Sequence, residues 1–284
     1  METLLQGLLL GGLYGLFALG QALIFGVMRL TNTAHGDFII MGAFIAFALT
    51  ALGISPWFAL LVTLPITWLI GYAVQTVVLN GTLGKDPLPS LVVTFGLSIV
   101  IQNLLLELNS ADPRSIPTHG FNTLSWAITD HLAIGILPLL IFGIAIAATA
   151  GLQWLFRTTA MGRSFRAVSD DREIAELMGL NARKVFAQAT ALAFALIGLA
   201  GALQGMRTTI APTDGPMLLL FAFEAVIIGG MGSFWGTLLG AMLLGLTQQV
   251  VFRIDPGWGI WGGHIMFLLI LMVRPEGLFP KTRG

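Results

Sequence analysis

The sequence predicts an all-α protein, a polytopic transmembrane helical bundle with about eight or nine membrane segments. Three observations lead to this fold class: 56% of the 284 residues are hydrophobic, only 10% are charged, and the mean hydropathy is +0.88. The apolar residues lie in stretches long enough to cross about 30 Å of hydrocarbon as helices, which takes roughly 20 residues each. Membrane β-strands would instead alternate apolar and polar residues over about 10 positions.

Charge and cysteine content exclude several classes of function. Lys and Arg together number 14, as do Asp and Glu, so no net field favours nucleic acid as a partner. The chain has no cysteine, which excludes disulfides and cysteine-ligated metal sites. The histidines form no pair at metal-ligand spacing, so neither a metal nor a cofactor is expected. Without a GxSxG or Walker A motif, the chain is predicted not to be an enzyme and to have no nucleotide-binding site of its own.

Six stretches have the length and composition of full membrane spans. They cover residues 4–28, 57–79, 88–106, 132–156, 186–206 and 258–273. The first has no basic residues before it and no evident cleavage site, so we expect it to stay in the protein as a membrane helix. Two further apolar regions differ, because 38–53 is short and 217–251 is interrupted by glycines. These two regions predict broken, re-entrant or half-length helices.

The distribution of basic residues predicts the orientation in the membrane. Residues 157–185 hold six of the 14 Lys and Arg residues, and short basic loops remain cytoplasmic. If 217–251 crosses twice, 11 basic residues lie inside and three outside. The expected arrangement therefore has the N-terminus outside and the C-terminus in the cytoplasm. A single crossing at 217–251 would place the C-terminus outside, and the sequence leaves both alternatives open.

The first candidate site is the polar break after the first span. It contains Asn32, His35 and Asp37 beside a glycine. Non-helical backbone is tolerated at membrane depth only where protein or water satisfies its polar groups, and broken helices of this kind often line transport pathways. The alternative is an interfacial turn in which Asn32 or Thr33 caps the next helix and the other polar side chains lie in water.

The second candidate site is the glycine break within 217–251. It consists of Gly229, Gly230, Met231, Gly232 and Ser233. Its layout is similar to that of the first break, and such a weak internal repeat points to a transport fold. Glu224, the one carboxylate of this stretch, is a functional candidate because a charged group in a membrane is costly to bury. It either pairs with a basic residue such as Arg207 or handles a solute or a proton.

A short amphipathic helix is predicted inside the basic loop. Asp170 and Glu173 have the spacing of a capping box that would start it. An apolar stripe at i, i+3 and i+4 follows, formed by Ile174, Leu177 and Met178. Gly179 would end the helix, and Asn181 would cap the next one. Such a helix presents a compact face to a cytoplasmic partner, or it lies on the lipid surface.

Four motifs in this order resemble a known family. They are Phe25–Leu30 with Asn32 and Ala34–Phe38, Met161–Val168 with Ala175 and Met178–Leu180, Ile228–Ser233, and Arg274-Pro275 with Gly277–Phe279. The chain resembles the inner-membrane permease subunits of branched-chain amino acid ABC transporters, and the first motif resembles the smaller, high-affinity type. The resemblance runs nearly end to end. It implies a single transmembrane permease domain over 1–284 that includes a cytoplasmic coupling loop at 157–185.

The resemblance also implies partners and site residues. The partners are a second homologous permease in a heterodimer, two cytoplasmic ATP-binding subunits, a periplasmic or lipid-anchored solute-binding protein, and the lipid of a bacterial inner membrane. The implied ATPase-coupling residues are Gly162, Arg163, Arg166, Asp170, Asp171, Glu173, Met178 and Gly179. The candidates for the translocation pathway are Asn32, His35, Asp37, Thr94, Glu224, Gly229, Gly230 and Gly232. The implied solute is a branched-chain or related hydrophobic amino acid, although permeases for urea and short-chain amides share these motifs.

A stand-alone ion-coupled carrier or channel is the alternative of a different class. In that hypothesis Glu224 or Asp37 would bind the coupling ion, and residues 157–185 would be a passive linker. Carboxylates are nearly absent from the apolar stretches, which argues against a carrier coupled to protons or sodium. The sequence therefore favours a permease subunit whose energy comes from separate ATPases.

Overall fold

The computed structural model describes residues 2–83, 88–129 and 132–279 of the chain. In these ranges it contains eleven α-helices and one β-hairpin. The helices are α1 Glu2–Met28, α2 His35–Ala51, α3 Pro56–Ala73, α4 Leu88–Asn109, α5 Ile136–Thr158, α6 Ala160–Asp170, α7 Arg172–Leu177, α8 Ala182–Arg207, α9 Gly215–Gly229, α10 Phe234–Ile254 and α11 Gly259–Val273. The strands are β1 Ser125–Thr129 and β2 Leu132–Gly135, which pair antiparallel.

Seven helical segments of the described chain are long and apolar enough to cross a membrane, whereas α2 and α9 are shorter apolar helices of 17 and 15 residues. The prediction of a polytopic helical bundle with about eight or nine segments, some of them short, is therefore confirmed. The predicted span at 132–156 starts too early, because Leu132–Gly135 forms β2 and the helix begins at Ile136. Pro138 then lies in the first helical turn, where its missing N–H is not needed.

The centre of the bundle is formed by α1 and α8, which are buried along most of their length, whereas α3, α4, α5 and α11 remain largely exposed. Glycines let the central helices approach their neighbours closely. Gly7 and Gly15 of α1 lie against Leu246 and Leu238 of α10. Since the numbers rise on one helix and fall on the other, α1 and α10 run antiparallel.

The packing of α8 on α3 repeats the packing of α1 on α10. Gly198 of α8 lies against Thr67, and Phe194 lies against Gly71, so this pair is also antiparallel. Because α1 and α8 themselves run antiparallel, helices α1–α3 correspond to α8–α10 with inverted direction. Inverted repeats of this kind are typical of transport proteins.

The two short helices occupy equivalent places in the two repeats. Gly36 near the start of α2 lies against the carbonyl oxygen of Gly215 at the start of α9. From this meeting point α2 runs parallel to α8, and α9 runs antiparallel to α10 towards the opposite end of the bundle. The segment equivalent to the break at 29–34 is therefore 208–214, rather than the glycine break that the sequence pattern paired with it.

The bundle has two ends, which we name by their contents. The loop end holds residues 110–124, and Arg114 there exchanges two backbone hydrogen bonds with Ile210, of 2.9 and 2.7 Å. The α6 end holds α6, α7, the end of α1 and residues 274–279. The start of α1 therefore lies at the opposite end from the tail motif. Three basic residues of the charge count, Lys85, Lys281 and Arg283, lie outside the described residues.

Candidate functional site

The first polar break folds back into the bundle before α2 begins. Arg29 has a φ of 55°, a left-handed conformation at which the chain leaves α1. His35, the first residue of α2, donates from Nε2 to the carbonyl oxygen of Phe17 at 2.7 Å. The chain thus returns from Met28 to the depth of Phe17, about 16 Å at 1.5 Å per helical residue. The break is re-entrant, so Asn32, His35 and Asp37 are buried and do not lie in water as an interfacial turn would place them.

The pathway candidates of this region surround the start of α2. Asn32, His35, Asp37 and Thr94 are all buried, with exposed fractions of 3, 0, 1 and 2%. The Thr94 hydroxyl of α4 accepts from the Thr33 backbone N–H at 3.2 Å and lies 2.8 Å from the Thr33 hydroxyl. Asn32 Oδ1 accepts from the Ala34 N–H at 3.0 Å. Side chains of α4 and of the break itself therefore accept hydrogen bonds from the N–H groups of this non-helical backbone, as is required at membrane depth.

Asp37 joins α2 to two other helices. Its Oδ1 accepts from Nε2 of Gln102 in α4 at 2.9 Å. It also lies against Gly215, where an added Cβ would overlap the carboxylate. A carboxylate is stabilised at a helix start because the first N–H groups have no partner in the helix. The sequence analysis missed Gln102, although Ser90, Thr94, Ser98 and Gln102 form a polar stripe at i, i+4 spacing on α4.

Glu224 lies apart from this cluster and pairs across to α11. Its Oε1 is 2.6 Å from Nδ1 of His264, so its partner is His264 rather than Arg207. The Phe221 ring lies between the rings of Tyr14 and His264, at centroid distances of 4.7 and 6.2 Å. The sequence analysis considered His264 only as a metal ligand. The available signal was that it is the one titratable side chain of α11.

The glycine break lies at the α6 end. Gly230 and Gly232 have φ values of 95° and 86°, which residues with a Cβ rarely adopt. Gly229 packs directly on α10, since an added Cβ would overlap that helix. The tail motif covers the break through a 2.8 Å hydrogen bond from the Leu278 N–H to the Ile228 carbonyl oxygen. The pathway candidates thus fall into three places: the start of α2, the α9–α11 pair and this break.

The basic loop contains two helices, α6 and α7, where the sequence analysis predicted one. Because α6 extends to Asp170, the residue that caps α7 is Asp171, whose Oδ1 accepts from the Ile174 N–H at 3.0 Å. Glu173 is then the second residue of α7, so the predicted capping box is wrong. The predicted end is correct, since Gly179 has a φ of 88° and terminates the helix in the usual left-handed conformation.

One face of α7 leaves large apolar side chains in solvent. Ile174, Leu177 and Met178 are 59, 87 and 80% exposed. Of the other predicted coupling residues, Arg163, Asp170, Asp171, Glu173 and Gly179 are exposed, Arg166 is half-buried, and Gly162 is buried against the end of α5. Three adjacent exposed apolar side chains on a short helix are typical of a surface that a partner covers.

Contacts connect α6 with the breaks in both repeats. The Ser169 hydroxyl donates to the Gly26 carbonyl oxygen near the end of α1 at 2.7 Å. The Phe165 ring packs on Phe156, which packs on Phe234 at the start of α10, with centroid distances of 5.5 and 4.9 Å. Direct contacts therefore link α6 to the last turn of α1, just before the first break, and to the residue after the glycine break.

Residues 3–273 match the family described as branched-chain amino acid transport system / permease component. The chain belongs to this family. It is 28% identical to the high-affinity branched-chain amino acid transport system permease protein BraD of Pseudomonas aeruginosa, over 99% of this chain and 96% of BraD. Escherichia coli LivH, which carries the same description, is 25% identical with the same coverage. LivM, another permease protein of that E. coli system, is 29% identical over 43% of this chain and 29% of LivM.

A solved structure supports the fold of this permease. PsaBC from Streptococcus pneumoniae, in complex with a Fab, matches with a TM-score of 0.51 over 97% of this chain and 93% of that chain. At 14% identity, the likeness concerns the fold alone. The relatives of the family are transport permeases, which are not enzymes.

Gln75 is a further buried polar residue of this permease that the sequence analysis did not identify. It lies in a π-helical turn, Val74–Val78, that continues α3. Its Oε1 accepts from the Thr190 hydroxyl of α8 at 2.7 Å, and its Nε2 donates to Oδ1 of Asn80 at 3.2 Å. Turns of this type frequently occur at functional sites. Hydrophobic periodicity alone gave no signal for it, since the apolar stretch continues through the turn.

Proposed function

We propose that this chain is the transmembrane permease subunit of an ABC importer for branched-chain or related hydrophobic amino acids. The observation that carries the proposal is the match to the permease family over residues 3–273, together with relatives of the high-affinity type that cover 99% of the chain. The scarcity of charged groups in the membrane helices suits a zwitterionic solute with an apolar side chain. Residues 1–284 form one permease domain in this proposal.

The complete importer contains a second homologous permease, two cytoplasmic ATP-binding subunits, and a periplasmic or lipid-anchored solute-binding protein. A heterodimer of permeases is supported by E. coli, where LivH and LivM are both named as permease proteins of one transport system. The largely exposed faces of α3, α4, α5 and α11 are available to the second permease and to lipid.

The α6 end faces the cytoplasm of a bacterial cell in this proposal, with the N-terminus outside and the C-terminus inside. The basic residues of α6 and α7 support this orientation. The chain has no cysteine, so single-cysteine variants report on one position each. A membrane-impermeant maleimide should label Asn122→Cys in intact spheroplasts and Lys184→Cys, at the exposed start of α8, only after permeabilisation. The reverse pattern would overturn the orientation.

The translocation pathway passes the start of α2, where Asn32, His35, Asp37 and Thr94 lie. Glu224 and the glycines Gly229, Gly230 and Gly232 border the path on the α9 side. In the proposed mechanism the start of α2 closes the path, and movement of α6 opens it through the Ser169–Gly26 hydrogen bond of 2.7 Å and the aromatic contacts to α10. The pathway thereby alternates between its two ends.

The exposed face of α7 and the charged residues of α6 dock on an ATP-binding subunit. The coupling surface consists of Gly162, Arg163, Arg166, Asp170, Asp171, Glu173, Met178 and Gly179, together with Ile174 and Leu177. Apolar side chains at the centre of a docking face supply most of its binding free energy, and the surrounding charges fix its register.

Co-purification and transport test this proposal together. The variant Leu177→Ser/Met178→Ser should recover at least tenfold less ATP-binding subunit than the wild type, because it removes two exposed apolar contacts. Leu124→Ser is the matched control, since Leu124 is 49% exposed at the loop end. Proteoliposomes with all subunits, ATP and the solute-binding protein should import leucine. Uptake by this chain alone, driven by an ion gradient and abolished by Glu224→Gln, would instead establish the carrier hypothesis.

A further inference from the structure

A chamber of about 540 Å³ lies at the loop end between α1, α8 and α9. Leu13, Met217 and Phe221 form its apolar wall, and Gln204, Arg207 and Asp214 form its polar side. Thr208 and Thr209 line it as well and are exposed to solvent, so the chamber opens at this end. None of these residues belongs to the sites that the family motifs indicate.

Arg207 has an unusual environment in this chamber. Its side chain is half-buried, and it forms no hydrogen bond or ion pair with any group in the described part of the chain. A half-buried guanidinium without a protein partner is only partly solvated through the open chamber and keeps its donors free. It therefore favours an anionic ligand, and its planar set of donors matches a carboxylate in particular.

Asp214 supplies the opposite charge on the same chamber. Its Oδ2 accepts from the Ala211 N–H at 2.8 Å, which fixes the carboxylate on the re-entrant segment. Its Oδ1 has no partner among the residues that the structure describes. An ammonium group is the ligand that such a fixed, half-buried carboxylate oxygen binds best.

We infer that this chamber binds an amino acid as a zwitterion, with its carboxylate on Arg207, its ammonium group on Asp214 and its apolar side chain against Leu13, Met217 and Phe221. The inference rests on the proposed function and adds a binding site within the permease itself.

The floor of the chamber separates it from the Glu224–His264 pair. Tyr14 and Phe221 stack with 4.7 Å between ring centroids and an interplanar angle of 25°. The Tyr14 hydroxyl donates to Oε1 of Gln248 at 2.7 Å, which fixes this ring. The way onward runs past the start of α9, because Asp214 is followed by Gly215, which lies on Asp37. Withdrawal of the start of α9 from Asp37 would connect the chamber with the closed section at α2.

The test is leucine binding to the assembled transporter without its solute-binding protein, measured by saturation-transfer NMR. The wild type should bind leucine at least tenfold more tightly than leucinamide, which lacks the carboxylate. Arg207→Gln should weaken leucine binding at least tenfold and leave less than a threefold preference over leucinamide. Arg207→Lys should restore part of the preference, because it keeps the charge but loses the planar pair of donors. Arg253→Gln, at an exposed arginine of the same end, is the control and should bind within twofold of the wild type.

The outcomes separate this inference from the proposed function. If the wild type imports leucine and Arg207→Gln binds leucine as tightly as the wild type, the inferred binding site is overturned and the proposed importer function is not. A wild-type transporter that imports no branched-chain amino acid overturns the proposed function. A Met217→Trp variant provides a second measurement at the apolar wall. It should narrow the chamber beside Phe221 and weaken leucine binding at least tenfold while the complex still assembles, and unchanged binding would overturn the inference.

Discussion

The two re-entrant connections, 29–34 and 208–214, occupy equivalent places in the inverted repeats but differ in what they enclose. The first ends in a closed polar cluster, where His35 and Asp37 are at most 1% exposed and bond to α1 and α4. The second borders an open chamber, where Arg207 has no hydrogen-bonded or ionic partner in the described chain. The polar side chains at the first connection are therefore enclosed by protein, although Asn32 Nδ2 and His35 Nδ1 have no partner there, whereas those beside the second connection face an open chamber.

In the proposed mechanism, this difference indicates the end of the bundle to which the pathway is open. A transporter built of inverted repeats is open on one side while the equivalent segment closes the other. Here the open segment lies at the loop end and the closed segment lies towards the α6 end. The comparison predicts that substitutions at the first connection reduce stability, whereas substitutions at the second reduce binding.

The largest expected effect is at the meeting point of α2 and α9. An alanine at Gly36 would overlap the carbonyl oxygen of Gly215 and approach the Leu219 nitrogen to 2.7 Å. Gly36→Ala should therefore lower the free energy of unfolding by about 3 kcal/mol, the upper range for overpacking, as measured by thermal unfolding in detergent. Gly151→Ala is the matched control, since no atom lies within 4 Å of a Cβ there. Equal melting temperatures for the two variants would contradict the close packing.

The second-largest loss of stability is expected when the Asp37 carboxylate is removed. Asp37→Leu removes the 2.9 Å acceptor of the half-buried Gln102 Nε2, which then keeps only the Ser98 hydroxyl at 3.2 Å, and should cost about 2 kcal/mol, the range for a hydrogen bond to a charged group. Asp37→Asn keeps an oxygen acceptor and loses only the charge at the start of α9, which is worth about 0.3–1 kcal/mol. Thermal unfolding of both variants checks this order. A larger loss of stability for Asp37→Asn than for Asp37→Leu would mean that the charge, rather than the hydrogen bond, stabilises the contact of α2 with α4 and α9.

The sequence predicted the features that depend on neighbouring residues. Stretch length and glycine content identified the short helices, and Gly179 marked the end of α7. The N-terminal cap of α7 was predicted at Asp170 instead of Asp171 because the sequence analysis overlooked α6. The signal for α6 was present, since the buried Gly162, Phe165 and Val168 have helical spacing.

The pairs that build the candidate site could not be predicted in this way. Gln102 is 65 residues from Asp37, and His264 is 40 residues from Glu224. Only the packing of the bundle brings such residues together. Arg207 was considered only as a partner for Glu224, because local pattern does not show where a cavity forms.

A smaller effect is expected behind the floor of the chamber. Glu224→Leu leaves His264 without the carboxylate that lies 2.6 Å away and should cost about 1–2 kcal/mol, the upper range for polar pairs between membrane helices. The double variant Glu224→Leu/His264→Leu should recover part of this loss, since replacing both partners of a buried pair is better tolerated than removing one. Thermal unfolding of the single and double variants forms the cycle. Additive losses would show that the two side chains do not interact.

The smallest effect on stability is expected at Arg207, and it separates the two connections most clearly. Arg207→Gln removes a charge without a protein partner, so the free energy of unfolding should stay within about 0.5 kcal/mol of the wild type. Leucine at ten times its Kd should stabilise the wild type by about 1.4 kcal/mol, because a ligand that binds only the folded state adds RT ln(1 + [L]/Kd). The same leucine concentration should not stabilise Arg207→Gln, and thermal unfolding with and without leucine measures both quantities. If Arg207→Gln instead lost as much stability as Asp37→Leu, Arg207 would be a structural residue like those at the first connection, and the contrast between closed and open segments would fail.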